Sequence, residues 1–145
     1  MNEILLVDTS FLVALVDGKD VLHEKARNIL KKIGHYDLMF TDVVYTETIS
    51  VFSRRIWGRR TVPEEKKSEV FREKVGLLDE WIWDRLWLWY PLLKEHMGEI
   101  KKICLESGGK LNFNDAFLVF GAGVYGVEKI VSFDSDFDGY MERIW

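Results

Sequence analysis

The stretch Glu3–Leu15, "EILLVDTSFLVAL", changes character at its one central charge, Asp8. Before Asp8, Ile4–Val7 is wholly apolar and too short for a helix, which suits a compact strand. After it, Thr9 or Ser10 stands where a helix cap is preferred, and the apolar run that follows suits a helix. A strand that hands over directly to a helix begins a β-α-β unit, and the same grammar recurs down the chain. "DLMFT" reads as a second strand, followed by the helix "DVVYTETISVFSRRIW" with Thr41 or Asp42 as its cap. "RLWLWY" reads as a third strand, from which Pro91 opens a long helix through "LLKEHMGEIKKICLESGG". "NFNDAFLVFGAGVYG" reads as one more helix, "EKIVSF" as the last clear strand, and "MERIW" as a short edge strand. Two further helices fill the gaps. "VLHEKARNILKKIG" places Val21, Leu22, Ala26, Ile29, Leu30 and Ile33 on one face, and "PEEKKSEVFREKVGLLDEW" starts at Pro63 with acids close behind. Alternation of this kind predicts an α/β fold: a three-layer sandwich with a central parallel sheet of four or five strands and helices on both faces. No repeat or flexible linker interrupts it, so residues 1–145 are expected to form a single domain.

Composition narrows the function classes. At 145 residues the chain can bury a core without disulfides, and its lone cysteine, Cys104, could not form one internally. A net charge of −4 argues against coating nucleic acid through surplus Lys and Arg. It does not argue against an enzyme acting on nucleic acid, because clustered carboxylates can hold divalent cations that reverse the local field. No apolar run is long enough to span a membrane, and the start lacks the basic end and cleavage site of a signal peptide, so a cytoplasmic location is expected. His23, His35 and His96 are too scattered to suggest a zinc set.

The acids are the informative residues. Asp134, Asp136 and Asp138 followed by Gly139 imitate the opening of an EF-hand calcium loop. The twelfth position of such a loop, however, falls on Trp145, which has no oxygen ligand, and a strand rather than a helix leads in. Open parallel sheets gather functional groups at the carboxyl ends of their strands. Asp8 ends the first strand and Asp134 follows the last clear one, while Glu47 and Asp115 sit in apolar helical stretches where a solvated charge is unexpected. Each has a plainer reading: a helix cap for Asp8, an exposed helix face for Glu47, a first-turn acid favoured by the helix dipole for Asp115, and turn chemistry for Asp134. Together at one rim they would repel one another, a penalty that a hard cation such as Mg²⁺ or Mn²⁺ offsets.

This combination resembles the PIN domain (PilT N-terminal) family, whose largest group is the VapC-type toxin ribonucleases. "LLVDTSFLVAL", "TDVVYTETISVFSRR", "LNFNDAFLVFGA" and "IVSFDSDF" are similar in order and spacing to the family's four motifs. The resemblance covers nearly the whole chain, and a long, tryptophan-rich middle is the main departure. It implies metal-dependent hydrolysis of RNA phosphodiester bonds, with Asp8, Glu47, Asp115 and Asp134 catalytic and Asp8, Asp115, Asp134 and Asp136 holding Mg²⁺ or Mn²⁺. It also implies a homodimer and an antitoxin protein as partner. Thr9, Ser10 and Ser132 are expected to brace the acids. Arg54, Arg55, Arg59 and Arg60 around Trp57 offer a phosphate-binding patch with a stacking ring, or else a solvated helix end with Trp57 in the core or an interface. One rival is a phospho-receiver module, which needs an acid pair after the first strand and an acid ending the third, and both are missing here. The other is a catalytically silent PIN-like module that only binds RNA or protein.

Overall fold

The computed structural model describes residues 2–58 and 62–145. Five strands form one wholly parallel sheet: β1 (Ile4–Val7), β2 (Asp37–Thr41), β3 (Leu86–Trp87), β4 (Lys129–Val131) and β5 (Glu142–Ile144). Their spatial order is β3-β2-β1-β4-β5, so the five-strand expectation holds and β1 lies at the centre. Leu5, Leu6 and Val7 are fully buried, as strands covered on both faces require.

Six helices join the strands: α1 (Thr9–Val16), α2 (His23–Lys32), α3 (Asp42–Trp57), α4 (Lys67–Ile82), α5 (Tyr90–Glu106) and α6 (Phe113–Tyr125). Helix α1 packs on α2 and α3, α3 packs on α4, and α5 packs on α6. The chain moves outward from β1 to β3 through the first four helices and returns through α5 and α6 to β4. Right-handed crossovers put these two groups on opposite faces. That explains why α1 is apolar on nearly all sides, with Phe11, Leu12, Val13 and Ala14 buried between the sheet and its neighbouring helices.

The order also fixes where a site can form. On one side of β1 the chain runs to β2, and on the other it arrives late at β4, so the sheet's switch point lies between β1 and β4. Crevices in such sheets open at the carboxyl ends of the strands flanking that point.

Several local expectations are corrected. Val21 is 97% exposed, and α2 begins only at His23, because Asp20 Oδ1 accepts the Leu22 N–H in a turn that delays the helix. The third strand is two residues long rather than six. The Trp89 and Tyr90 N–H groups leave the ladder and donate to Asp42 Oδ1 and Oδ2, at 2.9 and 3.0 Å. Asp42, 8% exposed, also accepts the Val43 N–H, and so it ties the first turn of α3 to the start of α5. Trp89 is thereby turned fully inward, onto Gly121 of α6. Helix α5 is interrupted at His96, whose φ of −124° and ψ of 16° are not helical. Pro63 leads into a 3-10 turn, Glu64–Lys66, rather than directly into α4.

Candidate active site at the switch point

Asp8 follows β1 and occupies the N-cap position of α1, yet its side chain makes no capping bond. The Asp8 carboxylate, only 5% exposed, turns to the switch point and accepts hydrogen bonds at Oδ2 from Ser132 Oγ (2.6 Å) and Ser10 Oγ (2.9 Å). The same serines receive backbone donors from the loop after β4. Asp134 N–H donates to Ser132 Oγ (2.9 Å), and Phe133 N–H donates to Ser10 Oγ (3.0 Å). This network holds the end of β1, the start of α1 and the end of β4 as one rigid unit. The Thr9 hydroxyl does not brace Asp8, since its Oγ1 is buried without a hydrogen-bond partner among the described residues, while the Thr9 N–H helps to lower the Asp8 pKa.

The other acids enter from elements far away in sequence. Asp115 forms a reciprocal capping box with Asn112 at the start of α6, its N–H donating to Asn112 Oδ1 (2.8 Å). Glu47 projects from α3 and accepts the Asn114 amide at Oε2 (3.2 Å). Asp134 Oδ1 accepts the Asp136 N–H (2.9 Å), which folds Ser135–Phe137 into a 3-10 turn. Asp8, Glu47, Asp115 and Asp134 all line one cleft of about 290 Å³, along with Asn112, Asp20 and Arg55.

Their proximity is written into their acidities. Burial, followed by the charges of Asp8 and Asp134, pushes the Asp115 carboxyl up to about 7, with Glu47 adding to the rise. Burial and the Asp8 charge also raise Glu47, although Asn114 and Arg54 oppose the shift. Asp8 is raised chiefly by burial, against the hydrogen bonds from Ser132 and Ser10. Carboxylates that impose such penalties on one another make an oxygen-rich donor set suited to a hard divalent cation. Among the described residues, no three His, Cys, Asp or Glu side chains stand close enough together to hold one ion by themselves.

Asp136 is not among the residues lining this cleft, and its N–H donates to Asp134 Oδ1 in the turn. Asp138 pairs with Arg143 (2.8 Å) and Gly139 takes a φ of 89°, so the calcium-loop likeness is a turn and an ion pair. The basic patch divides. Arg55 is bound to Asp20 (2.8 Å) and Asp17 (3.2 Å), so its guanidinium serves the fold rather than standing free for RNA. Arg54 is exposed beside Glu47 and makes no ion pair among the described residues. Arg59 and Arg60 lie outside the described residues. Trp57 is 51% exposed, which excludes the core reading, and Lys67 Nζ sits 5.4 Å from its ring centre. The Cys104 thiol is half-buried and donates to the Leu111 carbonyl. The three histidines remain apart: His23 on the Ala14 carbonyl, His35 against Tyr36, and His96 beside Glu99.

Asn112 and Asn114 were not singled out from sequence, and Asp42 was read only as an alternative to Thr41 as the cap of α3, the place Thr41 takes. Asn112 carried a usable signal, since Asn-x-x-Asp before an apolar run is a capping pattern. Asn114 and Asp42 act across the fold and have no local signature.

Comparison with known proteins agrees with this geometry. The family model described as PIN domain matches residues 5–141. Ribonuclease VapC6 of Methanocaldococcus jannaschii is 28% identical, with 92% of this chain and 90% of the relative covered. Among solved structures, VapC20 of Mycobacterium tuberculosis, described as a Sarcin-Ricin loop cleaving toxin, superposes with a TM-score of 0.66 at 22% identity, covering 93% of this chain and 92% of that one. VapBC2 of Rickettsia felis, solved bound to a DNA fragment from its promoter, gives a TM-score of 0.62 at 12% identity, with 98% of each chain covered. Both likenesses establish the fold.

Proposed function

The chain belongs to the PIN domain family, and from that premise we propose that it is a divalent-metal-dependent endoribonuclease. The observation that carries the reading is the meeting of four carboxylates from distant segments in one cleft at the sheet's switch point. Asp8, Asp115 and Asp134 would hold Mg²⁺ or Mn²⁺, directly or through water. The bound ion supplies an activated water and stabilises charge growing on the phosphate. Ser10 and Ser132 hold the Asp8 carboxyl in place at the cleft and oppose the larger rise in its pKa that burial causes. Glu47, oriented by Asn114, stands where it can accept a proton from the attacking water.

The similarity to VapC6 and VapC20 supports a toxin role, and the likeness to VapBC2 supports an antitoxin partner. Among the described residues no helix is long and apolar enough to cross a membrane, which is compatible with action on RNA in the cytoplasm.

The test is cleavage of RNA by the wild type and by Asp115→Asn with Mn²⁺ or Mg²⁺, beside a chelated control. Cleavage should require the ion and fall at least about a hundredfold in the variant. Equal cleavage by both proteins would remove the activity from this cleft. A wild type that binds RNA but never cuts it would leave the silent binding module.

A further inference from the structure

A second polar pocket, also about 290 Å³, adjoins the catalytic cleft and shares Glu47 with it. One wall is a stripe of α3 carrying Thr46, Glu47, Ser50 and Arg54, and Tyr90 and Asn114 complete the lining. Positions 46, 50 and 54 repeat every four residues, so they stack on one helix face. Arg54 is the pocket's one cation, and it is exposed and free of ion pairs among the described residues, unlike its neighbour Arg55.

Tyr90 is held at both ends. Its N–H donates to Asp42 Oδ2 at 3.0 Å, and its hydroxyl lies 2.7 Å from Thr46 Oγ1. Either hydroxyl can be the donor in that second bond, since Thr46 Oγ1 also lies 3.1 Å from the Val43 carbonyl. In both arrangements the phenolic oxygen keeps a lone pair for a donor in the pocket, on a ring that is 40% exposed and held in place.

We infer that this pocket is a subsite for the ribonucleotide flanking the cleaved bond in single-stranded RNA. In it Arg54 carries a backbone phosphate and Tyr90 Oη accepts a ribose 2′-hydroxyl. The inference rests on the ribonuclease reading and adds how the site tells RNA from DNA. An acidic cleft repels a polyanion, so a cation about two helical turns from Glu47 supplies compensating charge. The 2′-hydroxyl is the only ribose group that a proton acceptor can use to distinguish the two sugars.

The experiment measures binding of one labelled single-stranded RNA, and of the DNA of the same sequence, to wild type, Arg54→Ala, Arg54→Lys and Tyr90→Phe. Ca²⁺ is present to balance the cleft, and salt is varied. KM and kcat for RNA cleavage with Mn²⁺ give a second readout, and melting temperature reports folding. Arg54→Ala should weaken both nucleic acids about tenfold, reduce the salt slope by about one, and raise KM. Arg54→Lys should restore part of that loss as a point charge. Tyr90→Phe, which keeps the ring, should weaken RNA about fivefold and leave DNA unchanged. An unchanged salt slope in Arg54→Ala, or equal loss on RNA and DNA in Tyr90→Phe, would overturn the subsite while a cleaving wild type leaves the ribonuclease reading standing. A wild type that neither binds nor cuts RNA would overturn both.

Discussion

Asp115 carries the largest consequence of crowding. Its carboxyl titrates near 7 in the folded chain against an ordinary value of 3.8, so the folded state holds its proton more tightly than the unfolded state does. The stability tied to this group is fully present below about 4 and is lost as pH rises toward 7, where ionisation sets it against Asp8 and Asp134. Asp115→Asn cannot ionise and keeps the capping geometry, so in chelator at pH 8 it should be more stable than the wild type. After allowing for solvent screening at a half-buried group, the gain should be about 1 kcal/mol. Thermal melts of both proteins from pH 4 to 8 check this; a wild type equal to the variant at pH 8 would mean the acids do not repel as described. Asp8 and Asp134 could be picked out in sequence as acids that follow strands, and Glu47 and Asp115 as acids inside apolar helical stretches. Asp17 and Asp20 were not, because sequence does not show that Lys74 and Arg55 reach across to meet them. Burial alone would raise Asp17, yet hydrogen bonds from Lys74 and the Lys19 N–H, with the Lys74 charge and Arg55, outweigh it and hold the carboxyl below its usual range.

Elements show where local patterning stops. The third strand reads as six residues because "RLWLWY" is a short run rich in apolar and aromatic residues, but a strand keeps only the ladder bonds it is left with. Asp42 takes two of those N–H groups and redirects them to the start of α5. Tertiary capture of that kind leaves no trace at the strand itself. The redirected Trp89 packs so closely on α6 that a Cβ at Gly121 would lie 2.5 Å from its Cε3. Gly121→Ala would raise helix propensity on an exposed surface, but here it should destabilise by about 1–3 kcal/mol because the indole has no room to move. Denaturant unfolding measures the difference; a stabilised variant would show that the ring can retreat. The breaks at His96 and before His23 were likewise invisible to periodicity, since both continue an acceptable helical pattern.

At the scale of the molecule, alternation of strand and helix was enough to anticipate the parallel sheet, because each strand-helix step constrains the next. The strand order was not legible, and it is the order that brings β1 beside β4 and so assembles the cleft. The six tryptophans also part company here. Trp89 is core, whereas Trp83 and Trp87 are 58% and 44% exposed, and Trp87 meets Tyr125 edge-on at 5.7 Å. Exposed aromatic surface of this kind is what the homodimer implied by the family resemblance would bury. Sedimentation should give twice the mass of one chain, and Trp87→Lys should shift the equilibrium toward monomer; a wild type that stays monomeric at high concentration would refute it.

The bond between Ser132 and Asp8 spans 124 residues of chain. A polypeptide emerging from the ribosome therefore presents its first acid long before the serine that braces it has been translated. Until β4 docks, a nascent fragment lacks the wall that carries Asp134 and has no assembled cleft. Any activity that needs the whole cleft is therefore absent until β4 and the loop after it have been translated and docked.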